Sequence, residues 1–159
     1  ALKETDMTTY TGMPQATADT LRAGGPDAYG ASAEHTVSTG AGNPCRCCLE
    51  IIPEGAAMLI CAHKPFTADQ PYAETGPIFL CGEHCQAKGT SFPKVLDASP
   101  DYLLKAYSQD ERIIYGTGQI TPKGDVSTYA ERLLERADVA FVDVRSARNN
   151  CWLTRITRG

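Results

Sequence analysis

The sequence predicts an α+β fold: a mostly antiparallel sheet with a C-terminal hairpin, one main helix packed on it, and a zinc-knuckle-like site at one edge. Three observations support this prediction. Short apolar runs bounded by turn residues recur along the chain and indicate strands. One amphipathic segment has the spacing of a helix, and two cysteine-rich motifs enclose a pair of strand-like runs. Because the chain has 159 residues, of which 42% are hydrophobic, we expect one domain of residues 1–159 with its own buried core.

The first half of the chain is predicted to contain one short helix and three strands. Pro14 to Ala23 favours a helix, and His35 to Ser38 favours a short strand. The run GAAMLICAHKPF, which begins at Gly55, is short enough for a buried strand. The turn-rich segment TADQPYAETGP follows it, and PIFLC then indicates a second strand that leads into the second cysteine motif.

The second half contains the helix that the fold class requires. Asp125 to Ala137 places its apolar side chains on one face. Before it, the chain favours a helical turn or two after Ser99, and residues 112–120 indicate a strand broken at its glycines. After it, two strand-like runs flank Asn149 and Asn150, which favour a turn. We therefore predict a C-terminal hairpin.

Charge and hydropathy limit the classes of function. The chain begins without the apolar core of a signal peptide and has no run of about 18 apolar residues, so we expect a cytoplasmic protein without a membrane span. The formal charge is −4, yet the last 15 residues carry four arginines and no acid, so the preceding residues carry −8. An acidic body with a basic end argues against a nucleic-acid partner and allows a local site for a small anion.

The cysteines form two short motifs. PCRCCL begins at residue 44, and CGEHC begins at residue 81 after a gap of 32 residues from the last cysteine of the first motif. Seven cysteines, an odd number, in a chain without secretory features fit a disulfide framework poorly, because the cytosol keeps thiols reduced. Free cysteines can also be small buried core residues, and we favour this role for Cys61, which lies inside a predicted strand.

Zinc binding is the interpretation that we favour for the two motifs. Cys45 and Cys48 have the C-x-x-C spacing that folds around a tetrahedral ion. Cys81 supplies the second pair, either with Cys85 or with His84. Two short-spaced pairs joined by a strand, a loop and a second strand suit such a site, because each pair costs little loop entropy. The alternative, that these cysteines are small buried side chains, stays open at this point.

Several stretches of the chain are similar to one known family. They are DAYG at Asp27, PCRCCL, KPFTADQPYAETGPIF, the second cysteine motif, DERIIYGTG and VDVRSARNNCWLTRI. On these stretches the chain resembles, almost end to end, the bacterial domain-of-unknown-function family 1203. The resemblance implies no activity, since none is assigned to that family.

The family pattern reads P-C-R-x-C-L, and later G-P-I-F followed by a histidine and, four positions on, a cysteine. Its cysteines correspond here to Cys45, Cys48 and Cys85, while Cys81 stands at the histidine position. One good zinc ligand thus replaces another, which supports metal binding. The resemblance therefore implies that Cys47 and His84 are not among the metal ligands.

The C-terminal turn is a second candidate site. Its residues are Arg145, Arg148, Asn149, Asn150 and Cys151. Two guanidinium groups and two amides could receive a small carboxylate or phosphate, because arginine forks match planar oxyanions. The neighbouring arginines would also lower the pKa of Cys151, which could then be a nucleophile or a redox thiol. Because no base is recognisable beside it, we favour core packing for Cys151. The alternative is a solvated hairpin tip whose arginines pair with the acidic body.

Three interpretations of function follow from these motifs. The first is a small zinc-binding protein of unknown role whose metal is structural. The second is an enzyme that acts on a small anionic substrate through the C-terminal turn or an open zinc position; in it Glu74 could be a general base, although we favour an ion pair with Arg46. Four protein ligands indicate a structural zinc, whereas a catalytic zinc normally has three and a water. A module that orders a surface for a protein partner is a third interpretation.

Overall fold

Two antiparallel sheets form the framework of the protein in the computed structural model, which describes residues 8–159. The elements in chain order are β1 (Thr8–Thr11), α1 (Gln15–Arg22), β2 (Glu34–Val37), β3 (Ala57–His63), β4 (Gly76–Cys81), β5 (Gly89–Thr90), a 3-10 turn (Lys94–Asp97), β6 (Asp101–Tyr107), β7 (Gln119–Pro122), a second 3-10 turn (Lys123–Asp125), α2 (Val126–Leu134), β8 (Phe141–Ser146) and β9 (Trp152–Arg158). The six-stranded sheet has the order β5-β1-β9-β8-β6-β7, and the three-stranded sheet has the order β2-β3-β4. Residues 1–7, where we expect no signal peptide, lie outside the described residues.

The predicted α+β class is confirmed. Helix α1, strands β2 to β4 and the C-terminal hairpin of β8 and β9 form at the positions that the sequence indicates, each within a few residues. Pro14 directly precedes α1, where its missing N–H costs no hydrogen bond. None of the helices within residues 8–159 has the length and apolar character that a membrane span requires.

Residues 101–107 form a strand, so the prediction of a helical turn or two after Ser99 is wrong there. Strand β6 lies between β7 and β8 and pairs with both. Its leucines, lysine and alanine are good helix formers, so composition alone favours a helix here. In the strand, every second residue is buried: Tyr102, Leu104 and Ala106. Pairing on both edges and burial of one face outweigh the local helix propensity.

Helix α2 ends at Leu134, three residues before the predicted end at Ala137. Its apolar face packs on the six-stranded sheet in the main core. Arg158 in β9 binds the end of the helix: its Nη2 donates to the carbonyl oxygens of Leu134 and Arg136. These bonds satisfy carbonyls that lack partners within the helix, so the chain can turn into β8 without further helical residues.

The two sheets have separate cores that meet near the first cysteine motif. The three-stranded sheet and α1 enclose one core, which includes Met13, Leu21 and the cysteines of both motifs. Leu49 is the last residue of the first motif, yet it belongs to the main core under the six-stranded sheet. It adopts a left-handed backbone with φ of 62° and is 1% exposed. The first cysteine motif therefore lies between the cores, with its last residue in the larger one.

Gly12 allows the chain between β1 and α1 to touch this motif. A Cβ atom at Gly12 would lie 2.1 Å from the carbonyl oxygen of Arg46, a distance that no real side chain shows. The same carbonyl oxygen accepts a hydrogen bond of 2.7 Å from the N–H of Met13. Only glycine fits this approach, because the contact atom is backbone and has little freedom to move.

We expect Gly12→Ala to lower the free energy of unfolding by about 1–3 kcal/mol or more, since the added methyl group must push the Arg46 backbone away. Urea unfolding would measure the change. Gly124→Ala is the matched control: a Cβ atom at Gly124 meets nothing within 4 Å, and its φ is not positive, so its stability should equal or slightly exceed that of the wild type. Equal stability of the two variants would contradict the proposed contact.

Candidate metal centre

Two segments that are separate in sequence bring four cysteines together. Cys45 to Cys48 form a tight turn, closed by a hydrogen bond of 3.1 Å from the Leu49 N–H to the Cys45 carbonyl oxygen. The turn is attached to β4, because the Arg46 N–H donates to the carbonyl oxygen of Phe79 at 3.1 Å. β4 then ends at Cys81, next to the turn.

Helix α1 holds the loop that carries the fourth cysteine. The side-chain amide of Gln15 donates to the carbonyl oxygen of Cys85 at 3.0 Å, and its oxygen accepts from the Ala87 N–H at 2.7 Å. Arg22, at the other end of the helix, donates from Nε to the carbonyl oxygen of Cys81 at 3.0 Å. The second cysteine pair is therefore positioned by a strand on one side and a helix on the other.

The four sulfur atoms lie close enough together to surround one metal ion. All the sulfurs of Cys45, Cys48, Cys81 and Cys85 lie within 4.8 Å of one another. Two pairs are closer: Cys45 and Cys85 are 3.8 Å apart, and Cys48 and Cys81 are 3.9 Å apart. A tetrahedron of sulfurs bound at about 2.3 Å to a central ion has edges of about 3.8 Å. The four cysteines could therefore hold a metal ion with little movement.

Hydrogen-bond donors surround the sulfurs. The backbone N–H groups of Cys47 and Cys81 each point to the sulfur of Cys45 at 3.4 Å. Arg22 Nη2 donates to the sulfur of Cys85 at 2.8 Å. Such donors favour thiolates over thiols, and groups of this kind orient the ligands of metal sites.

The close thiols of the cluster shift one another's pKa values in opposite directions. Hydrogen bonds from Cys48, Cys81 and Cys85 strongly lower the pKa of Cys45. Hydrogen bonding to the Cys45 sulfur raises the pKa of Cys81 far above its usual range and raises that of Cys85 to about 11. One thiolate is thus stabilised by the other three thiols. Further thiolates at this distance need a cation between them.

Three neighbouring side chains lie outside this group. His84 is exposed, and its Nδ1 faces the Asp19 carboxylate at 3.6 Å. Cys47 is buried, with its sulfur 3.9 Å from the carbonyl oxygen of Cys85. Cys61 is 5% exposed within β3, where burial raises its pKa to about 11, so its predicted role as a buried core residue is confirmed.

The C-terminal turn separates the two arginines that the sequence groups together. Arg145 is buried and donates from Nη1 to the carbonyl oxygen of Asn150 at 2.9 Å. Arg148 is exposed and pairs with Asp101 at 2.8 Å. Arg145 lines one cleft together with both asparagines and Cys151, whereas Arg148 does not. The structure thus brings four of the five turn residues to one cleft.

Glu74 does not pair with Arg46, so that prediction is wrong. Its carboxylate accepts from Arg145 Nη2 at 3.1 Å, from Lys105 Nζ at 3.0 Å and from the Tyr107 hydroxyl at 2.7 Å. Burial alone would raise the pKa of Glu74, but the Tyr107 hydrogen bond and the two cations lower it. Arg46 is buried and donates to backbone carbonyl oxygens instead.

Sequence reasoning missed two kinds of residue near these sites. Arg22 contacts the cysteine cluster from α1, and the only signal for it is a basic residue in the last turn of that helix. His63 and Trp152 line the cleft beside Arg145, and both read in the sequence as ordinary strand residues. Their positions depend on how the two sheets meet, which no local spacing records.

The fold and the site together define an α+β protein with a candidate metal centre of four cysteines. The family described as "Protein of unknown function (DUF1203)" matches residues 42–158, and the chain therefore belongs to this family. The matched segment includes all four cysteines of the cluster. No curated protein and no solved structure is detectably similar to the chain.

We expect Glu74→Gln to lower the free energy of unfolding by roughly 1–3 kcal/mol at pH 7, because Arg145 and Lys105 lose their shared carboxylate. Folding lowers the pKa of Glu74, so the stabilisation is complete above the unfolded-state pKa of about 4.3 and is lost as the pH falls through the lower folded-state pKa. Urea unfolding at several pH values would measure the difference between variant and wild type.

That difference should shrink below about pH 4. Glu34→Gln, in the exposed strand β2, is the control and should match the wild type throughout. A Glu74→Gln deficit that stays constant down to the lowest pH would contradict the ionic role of Glu74.

Proposed function

We propose that the protein binds one zinc ion through Cys45, Cys48, Cys81 and Cys85, and that this zinc is structural. The observation that carries the proposal is the set of four sulfurs that lie close enough together to surround one metal ion. Soft thiolate ligands in tetrahedral geometry suit zinc. Among divalent metals that accept this geometry, zinc also binds more tightly than iron or cobalt.

The ligand count supports a structural role. Four protein ligands fill the tetrahedron, whereas a catalytic zinc keeps one position for water. Cys45 and Cys48 are buried, and no cysteine of the cluster lines either the cleft beside α1 or the cleft beside the C-terminal turn. A substrate in these clefts would not reach the metal.

The proposed metal would join three segments that lie apart in the sequence. It would fix the Cys45 to Cys48 turn to the end of β4 and to the loop that α1 holds. The binding free energy of a structural zinc contributes directly to folding, because its ligands are not preassembled in the unfolded chain. Thiolate ligands also require reduced cysteines, which favours a cytoplasmic location for this protein.

We expect purified wild-type protein to contain about one zinc per chain and Cys48→Ser to contain much less, with a lower melting temperature. Elemental analysis would identify the metal and give the stoichiometry, and thermal unfolding would give the stability. Cys151→Ser is the matched control, since Cys151 is not one of the four clustered cysteines. Its metal content should equal that of the wild type.

A strong chelator should remove the metal and lower the melting temperature of the wild type, while Cys48→Ser should respond little. Iron in place of zinc, or disulfides among the four cysteines of freshly reduced protein, would refute the assignment. Full metal content in Cys48→Ser would exclude Cys48 as a ligand.

We further expect Arg22→Gln to weaken zinc binding by about tenfold, because the charge-assisted hydrogen bond to the Cys85 sulfur is lost. Competition with a chromogenic chelator would measure the affinity. Arg112→Gln is the control: Arg112 stacks on the Tyr72 ring with its guanidinium carbon 5.4 Å from the centroid, and its replacement should leave the affinity unchanged. Equal affinities for both variants would show that Arg22 does not support the ligand.

A further inference from the structure

A cleft of about 360 Å³ lies where the C-terminal hairpin meets β3 and β4. We call it the Trp152 cleft. The residues that matter for its chemistry are His63, Glu74, Pro77, Arg145, Asn149 and Trp152. No cysteine of the cluster lines it, so a ligand in this cleft would not contact the proposed zinc.

Within residues 8–159, two buried hydrogen-bond donors that belong to residues lining this cleft have no acceptor. They are Arg145 Nε and Trp152 Nε1, and both side chains are about nine-tenths buried or more. Buried donors are almost always paired, because an unpaired donor costs about 1–3 kcal/mol. A molecule that brings oxygen acceptors into the cleft would remove that cost.

A second arginine, Arg155, has both donors of the same guanidinium edge paired with a carboxylate. Arg155 binds the Asp143 carboxylate along one edge of its guanidinium group, with Nε and Nη2 at 2.7 Å and 3.0 Å from the two oxygens. In Arg145 the equivalent edge is half used, since Nη2 meets Glu74 and Nε meets nothing. The register of β8 and β9 shifts next to Arg145, and such bulges redirect side chains at binding sites.

The charged groups around the cleft carry one more positive charge than negative charge. Arg145 and Lys105 share the single carboxylate of Glu74, which accepts a hydrogen bond from Tyr107 as well. His63 brings no charge, because burial and then the neighbouring arginines lower its pKa to about 4. The cluster therefore retains one positive charge inside a chain whose net charge is −4.

The walls of the cleft suit an apolar molecule with one acidic group. His63 packs edge-on against Trp152, with ring centroids 5.3 Å apart, and Pro65, Pro77 and Ile78 complete this side. The volume lies within the range of small-molecule sites. A single excess charge beside Glu74 favours a monoanion over a dianion, and the free guanidinium edge favours a planar group.

We propose that the Trp152 cleft binds a small carboxylate with an apolar body, which accepts hydrogen bonds from Arg145 Nε and Trp152 Nε1. Arg148, on the same hairpin, takes no part, because it points to Asp101 and does not line the cleft. Cys151 lines the cleft, but its thiol donates only to the Asn149 carbonyl oxygen at 3.8 Å. The proposal is therefore one of binding without a covalent step.

The wild-type protein offers a direct probe, because Trp152 is its only tryptophan. Acetate, hexanoate and benzoate, each compared with its neutral amide, would be titrated while tryptophan fluorescence and the melting temperature are recorded. We expect at least one of the two larger carboxylates to change the fluorescence saturably, to raise the melting temperature and to bind at least about tenfold more tightly than its amide.

Matched substitutions on one hairpin then locate the site. Arg145→Lys keeps the charge but loses the planar fork, so it should weaken binding by about tenfold or more. Arg148→Lys, the same exchange at the exposed position, should bind like the wild type. Trp152→Phe removes one donor and should weaken binding, measured by calorimetry because the fluorescent group is gone. Circular dichroism and metal content would confirm that each variant is folded and that the cysteine cluster is intact.

The proposal is overturned if no carboxylate binds the wild type, if each amide binds as tightly as its acid, or if Arg148→Lys loses as much affinity as Arg145→Lys. Should Arg145→Lys fail to fold, the wild-type fluorescence and Trp152→Phe decide the question. Metal content is measured separately, so wild-type protein that has full zinc content but binds no carboxylate would refute the cleft proposal and leave the zinc proposal intact.

Discussion

The closeness of four cysteine sulfurs is the constraint around which the surrounding structure is arranged. Thiolates within 4.8 Å of one another repel strongly in a partly buried site, so the cluster needs either protons or a cation. Its members come from a turn, Cys45 to Cys48, and from the end of a strand and the following loop, Cys81 to Cys85. The pairing of β3 with β4 and the docking of α1 bring these segments together. One ion at their centre would thus connect a turn, a hairpin and a helix.

The motif that carries the first cysteines also joins the three-stranded sheet to the C-terminal hairpin. Arg46 Nε donates to the carbonyl oxygen of Trp152 at 2.7 Å, deep in the interior. The Trp152 ring in turn packs against His63 at the end of β3. The first residue of β9 therefore supports the turn that holds Cys45 and Cys48, and its side chain forms a wall of the Trp152 cleft. Metal centre and cleft are distinct in chemistry but share this contact.

Local spacing was enough to predict both helices and the C-terminal hairpin, because their signals lie within a few residues. For Cys81 it left Cys85 and His84 open as partners, and the family resemblance favoured Cys85. Local spacing failed for Asp101–Tyr107, where pairing on both strand edges outweighs helix propensity. Spacing also groups Arg145 with Arg148, although the former is buried against Glu74 and the latter is exposed. The two cations that pair with Glu74, Lys105 and Arg145, lie 31 and 71 residues away in the sequence. Such partners depend on the packing of the two sheets, so no pattern along the chain identifies them.

The buried arginine of the first motif bears on the state of the cluster. Within residues 8–159 Arg46 forms no ion pair, and burial lowers its pKa to about 10 against the opposing effect of the Cys151 and Cys45 thiols. It is therefore still protonated at neutral pH, and a buried cation without a counter-charge is costly. Four neutral thiols would offer no compensation. Four thiolates around a zinc ion carry a net charge of about −2, and two cations lie beside them: Arg46, and Arg22 at the Cys85 sulfur. A metal-bound cluster would thus balance these two arginines better than a fully protonated cluster, or than the single Cys45 thiolate that the other three thiols stabilise.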